Sequence, residues 1–183
     1  MKTYVTADEA RELRSLATGR RVLELGAQYG YSTVQMARVA SVVYSVDWHF
    51  GDAQAGKVDT IWEWSQNTSS LRQAGRVVGL VGRFDAILPL LQPASFDLIF
   101  HDGFHEAWAV AADCRMALPL LSWGGVVCFH DWGLFGVAGG VEPMLGKPDY
   151  VIDRLAVFTN PSGRWGSGGA YRAAGGRAMG PEL

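Results

Sequence analysis

The chain patterns as a doubly wound α/β domain on a mostly parallel sheet, and two observations carry that expectation. Short β-branched runs alternate with segments of helical spacing along most of its 183 residues. Such alternation is the mark of βαβ units covered on both faces. The second observation is where the ionisable residues fall. Glu24, Asp47, Asp102 and Asp131 sit at the C-terminal ends of the runs, and His49, His101, His105 and His130 lie within a few residues of such an end. Open parallel sheets bind ligands beyond those ends, where strand order reverses.

A first helix is expected over residues 7–16, with Thr6 as N-cap and Glu9 three residues on, a capping box. Strands follow at 21–25, 42–46, 77–81, 96–101 and 126–130, then a longer one at 150–159. Helices are expected at 33–40, 53–74, 85–91 and 107–121, from apolar spacing or from lengths too great for strands. The tail from Pro161 is rich in Gly, Ser and Ala, with one short strand at 170–173. The division is an N-terminal helix (1–19), one domain (20–173) and a flexible tail (174–183).

Composition narrows the function. Apolar residues make up 49% and charged residues 19%, as in a chain that folds around a core. The net charge is −2 and lysines number three (Lys2, Lys57, Lys147), so no footprint for nucleic acid is present. Cys114 and Cys128 lie in apolar segments and suggest neither a disulfide framework nor a zinc site. The polar N-terminus is no signal peptide, and no apolar run reaches a membrane-spanning length. A soluble cytoplasmic protein is expected.

Gly26 and Gly30 mark a tight strand-to-helix turn. Gly26 permits a backbone conformation other residues avoid and lets a ligand lie against bare backbone, although a plain turn would also use it. Ser32 is placed to cap the following helix. Asp47, 21 residues after Gly26, can accept both hydroxyls of a ribose or cap the next segment. The turn lacks Gly-x-Gly-x-x-Gly, which disfavours a nicotinamide dinucleotide.

The segment Glu24-Leu-Gly-Ala-Gln-Tyr-Gly-Tyr-Ser-Thr-Val-Gln-Met-Ala-Arg38 resembles the first motif of class I S-adenosylmethionine-dependent methyltransferases. It is most similar to the catechol O-methyltransferase type and to the group with macrocin O-methyltransferase and cephalosporin-hydroxylase-like proteins. Phe96-Asp-Leu-Ile-Phe-His-Asp-Gly-Phe-His105 and Gly124-Gly-Val-Val-Cys-Phe-His-Asp131 complete a resemblance that covers residues 20–158. It implies a Rossmann-like seven-stranded sheet of order 3-2-1-4-5-7-6, its last strand antiparallel. It also places Gly26 and Gly30 under the methionine part of S-adenosylmethionine, Ser32 near its carboxylate and Asp47 on the ribose. Gly82, Arg83 and Phe84 would border the adenine, with Phe104 stacking. Glu24, Ala27, Trp48 and Asp102 complete the implied cofactor-binding set.

Phe-His-Asp occurs twice, at 100–102 and 129–131. In the implied order these strands are neighbours, their tips about 4.8 Å apart. Equal phase would send the two Asp one way and the two His another. Paired carboxylates need a cation between them, or each caps a loop. Asp102, Asp131 and His130 are the candidate ligands of a divalent metal. Catechol-type enzymes carry Asp-Asn where this chain has Asp131-Trp132, which moves the preference from Mg²⁺ toward Mn²⁺-like ions with a His ligand. His105 stands where they carry a Lys, and is either general base or ligand; His49 and His101 read as packing groups.

The activity so implied is metal-assisted methylation of a small-molecule hydroxyl, with Asp102 and His105 catalytic. Ile61, Trp62 and Trp64 would wall the acceptor within a lid at 48–74. The fourth strand end, His-Asp-Gly-Phe, speaks against nucleic-acid bases as acceptors, no membrane is involved, and homo-oligomerisation stays open. The alternative is a cofactor-binding regulatory or partner subunit that transfers no methyl group.

Overall fold

The computed structural model describes residues 1–53, 56–134 and 136–160. Its main sheet comprises β1 (Arg21–Leu25), β2 (Val42–Asp47), β5 (Val77–Val81), β6 (Phe96–His101), β7 (Leu121–Phe129), β8 (Tyr150–Ile152) and β9 (Leu155–Thr159). The order is β5-β2-β1-β6-β7-β9-β8, with β9 antiparallel to both its neighbours and every other pair parallel. Counted along the main sheet this is 3-2-1-4-5-7-6, the expected topology.

Helices cover both faces. On one side α1 (Ala7–Ala17), α2 (Tyr31–Ala37) and α3 (Ile61–Gln73) bury Leu13, Met36 and Trp64 against Val22, Leu98, Phe100 and Cys128. On the other, α4 (Phe84–Ile87), α5 (Ala107–Ala117) and α6 (Val137–Leu145) lie over Leu23, Leu25, Ile99, Val127 and Phe129. A strand buried on both faces must be apolar throughout, so the central runs do not alternate.

The expected capping box on α1 is present: Thr6 Oγ1 accepts from Glu9 N, and Glu9 accepts from Thr6 N. Several elements differ from expectation. Helix α3 starts at Ile61 rather than 53, because Gly51 (φ 75°) and Gly56 (φ 72°) turn a two-residue hairpin, β3 (Gly51–Asp52) with β4 (Gly56–Lys57). The long strand at 150–159 is a hairpin, since Asp153 takes φ 50°. Helix α5 tightens at Leu118–Leu120 around Pro119, and β7 begins at once with Leu121. Helix α6 is absent from the sequence reading because Gly139 and Gly140 look like breakers. A β-carbon on Gly140 would stand 2.6 Å from Ala107 O, so glycine here lets α6 approach α5. The strand expected at 170–173 and the tail at 174–183 lie outside the described residues.

Candidate active site

The turn after β1 is built from backbone. Gly26 (φ 92°), Gln28 (φ 45°) and Gly30 (φ 85°) are all left-handed. Asp47, at the end of β2, closes the turn: its Oδ2 accepts the amides of Ala27 and Gln28, each at 2.7 Å, and its Oδ1 accepts His49 N at 2.6 Å. Gly30 must be glycine for a second reason, since a β-carbon would meet Trp64 Cδ1 at 2.9 Å. It occupies the N-cap of α2 without a side-chain bond. Contrary to the sequence expectation, Ser32 therefore does not cap that helix. Its hydroxyl donates to Glu24 Oε1 at 2.6 Å, while Thr33 and Ser45 donate to Oε2 at 2.5 and 2.7 Å. Burial pushes the Glu24 carboxyl up to about 7 against the pull of those three hydroxyls.

A cleft of about 1370 Å³ opens above the strand tips. Every site residue expected from the sequence lines it except Glu24 and Gly30. The expected lid is smaller than supposed. Trp64 is buried over Gly79 and the glycine turn, Ile61 packs on the core, and Trp62 is 74% exposed, so Trp48 alone of these four lines the cleft. His49 bonds Thr60 Oγ1 at 2.8 Å and His101 bonds Asp113 Oδ2 at 3.0 Å, both as packing groups.

The two Phe-His-Asp tips are staggered by one residue. His101 pairs with Phe129, and His130 N donates to His101 O at 3.0 Å, so His130 lies level with Asp102. The two histidines thus point to opposite faces, contrary to the equal phase expected. Asp131 leaves the strand at φ 54°, which returns its carboxylate to the same side. Three basic groups meet the acids there. His130 Nδ1 is 3.2 Å from Asp102 Oδ1 and 3.6 Å from Asp131 Oδ2. His105 Nε2 is 3.2 Å from Asp131 Oδ2 and 3.7 Å from Asp102 Oδ1. Arg154 Nη1 donates to Asp131 Oδ1 at 2.9 Å. Behind His130, its Nε2 faces Glu9 Oε2 at 3.1 Å.

The charges reinforce one another. Burial works against the His130 imidazolium, yet bonds to Asp102 and Asp131 push it up to about 11. Asp102 is desolvated, but hydrogen bonds from His105 and His130 hold it well below the usual carboxylate range. Asp131 is also desolvated and is lowered chiefly by His130. Its bond to Asp102 raises His105 above the ordinary imidazole value.

Asp102, His105 and Asp131 offer ligand atoms within 4.8 Å of one another. Two carboxylate oxygens and an imidazole fit one divalent ion of the Mn²⁺ type. His130, expected in that set, is not part of it: its Nδ1 faces the Asp102 and Asp131 carboxylates and its Nε2 faces Glu9. Glu9 and Arg154 escaped the sequence reading. Only the capping box flagged Glu9, and for a different role.

This arrangement of glycine turn, strand-end acid and open cleft agrees with the comparisons. A family model described as Methyltransferase domain matches residues 23–132, and the chain belongs to that family. Among solved structures it is similar to the O-methyltransferase TomG from Streptomyces achromogenes, involved in tomaymycin synthesis and solved in complex with S-adenosylmethionine. Identity is 25% and the TM-score 0.57, over 81% of this chain and 63% of that one. Cofactor-bound Rv0187 from MTB gives 26% identity and a TM-score of 0.58, over 82% and 64%. The protein y4gI of Sinorhizobium fredii (strain NBRC 101917 / NGR234) is 29% identical over 147 residues, 70% of this chain. The chain spans 16% of y4gI and less than two thirds of either solved structure. Among the described residues no helix is long and apolar enough to cross a membrane.

Proposed function

We propose that this chain transfers a methyl group from S-adenosylmethionine to the hydroxyl oxygen of a small molecule. One observation carries the reading: the glycine turn and the acid cluster touch and open into the same cleft. Gly26 and Ala27 would hold the methionine part of the cofactor and Gly82–Phe84 would border its adenine, in the cleft that Asp102 and His105 also line. The cofactor would supply the methyl group. The sulfonium is already activated, so alignment is the main task, and positioning alone can supply about 7–11 kcal/mol. Asp102 and Asp131 orient His105 Nε2 in the cleft, where His105 takes the acceptor proton once it has lost its own.

A second reading rests on the same cluster. Asp102, His105 and Asp131 would hold a divalent ion, which when bound lowers the pKa of the acceptor hydroxyl. The two roles of His105 exclude each other, and ion dependence separates them.

The test is mass spectrometry after incubation with S-adenosylmethionine and pooled hydroxyl acceptors, with chelator or with added Mn²⁺ or Mg²⁺. Product formed equally in chelator assigns His105 as base, whereas product formed only with added ion assigns it as ligand. Asp102→Ala should lower turnover by at least about a hundredfold. S-adenosylhomocysteine binding without any methylated product would leave a cofactor-binding partner subunit instead.

A further inference from the structure

We propose that Glu9, on the N-terminal helix, is a positioning residue of this site: it grips His130 from behind and so turns the ring's other edge onto Asp102. The proposal rests on the methyl-transfer reading above. Glu9 sits in the first turn of α1 and is completely buried. A capping box accounts for only one of its bonds, that from Thr6 N to Oε2 at 2.8 Å. The same oxygen faces His130 Nε2 at 3.1 Å, and Oε1 accepts Arg154 N at 2.8 Å. Both partners reach the site carboxylates, His130 Nδ1 lying 3.2 Å from Asp102 Oδ1 and 3.6 Å from Asp131 Oδ2, and Arg154 Nη1 donating to Asp131 Oδ1 at 2.9 Å. One side chain thus stands behind two of the basic groups that meet the acids.

Docking of α1 has anchors besides Glu9. Thr6 Oγ1 donates to Asp153 Oδ2 at 2.6 Å, Tyr150 donates to Glu12 Oε1 at 2.6 Å, and Leu13 is fully buried in the core. Helix anchoring and the grip on His130 are therefore separable. Glu12→Gln loosens the helix without touching His130, whereas Glu9→Gln loosens His130 and leaves those anchors in place. In metal sites a partner that orients a ligand through a hydrogen bond is commonly worth tenfold or more in affinity or activity, and His130 stands in that relation to Asp102.

The experiment reads two things in the full chain, the low-field ring N–H proton of His130 by NMR and the steady-state constants. We expect Glu9→Gln to abolish the His130 Nε2–H resonance and to lower kcat about tenfold. Its KM for S-adenosylmethionine and its affinity for S-adenosylhomocysteine should stay within about twofold of the parent. In a His130→Gln background, Glu9→Gln should cost less than it does in the parent, since both changes remove the Glu9–His130 interaction and only the Arg154 and Thr6 bonds are left to lose. An unaltered resonance in Glu9→Gln, an unaltered kcat, or an equal loss in Glu12→Gln would each overturn the proposal. A parent protein that methylates no acceptor counts against the methyl-transfer reading, and the resonance alone then decides the grip of Glu9 on His130.

Discussion

Gly26 lies against the carbonyl oxygen of Asp102 so closely that a β-carbon on residue 26 would stand 2.0 Å from it. The tips of β1 and β6 are further joined where Asp102 N donates to Leu25 O at 2.7 Å. Glycine turn and acid cluster are thus one piece of backbone. A shift in either must move the other.

Gly26→Ala tests that junction. The substitution meets a left-handed φ of 92° and a backbone clash that no rotamer relieves. It should cost at least about 2 kcal/mol of stability in urea unfolding. S-adenosylhomocysteine should then no longer bind at concentrations that saturate the parent. A variant with parental stability and affinity would contradict the contact.

Asp47→Asn tests how the turn is closed. The carboxylate serves three backbone amides, those of Ala27, Gln28 and His49. An amide offers one acceptor atom and leaves part of that set unpaired. Affinity for S-adenosylhomocysteine, read by calorimetry, should fall about tenfold, or ~1.4 kcal/mol. Full retention of affinity would show that the turn holds its shape without this carboxylate.

Glu24→Gln should alter the pH dependence of stability. Burial raises the Glu24 carboxyl from 4.5 to about 7, so between those values the folded chain holds a proton that the unfolded chain has released. Parent stability therefore falls as pH rises through that window. Glutamine carries no such proton, and the variant should gain on the parent from pH 4.5 to 7 by up to about 3 kcal/mol. Paired denaturation curves at pH 5 and pH 8 read this directly. A difference independent of pH would place the Glu24 titration elsewhere.

Local patterning was a sound guide wherever one element answers to its own residues. Thr6 and Glu9 mark the start of α1 because a capping box spans three residues, and the apolar runs mark the central strands because both their faces are covered. It misled where a residue serves a partner far away. Gly140 looks like a helix breaker yet lies inside α6, where it admits the backbone of α5. Trp64 looks like a wall for a ligand yet fills the space over Gly30 and Gly79.

The order of residues alone determined the βαβ frame, the glycine turn and the ring of acids and histidines at the strand tips, since each follows from periodicity or short spacing. Only the folded chain decided how those acids are satisfied. Two identical Phe-His-Asp tips cannot announce a one-residue stagger, which is set by how β6 and β7 pair and by the positive φ of Asp131. Nor can spacing join Glu9 to His130 and Arg154, 121 and 145 residues distant. Those meetings are made by the docking of α1 beside the β8–β9 turn, and long-range packing leaves no local pattern to read.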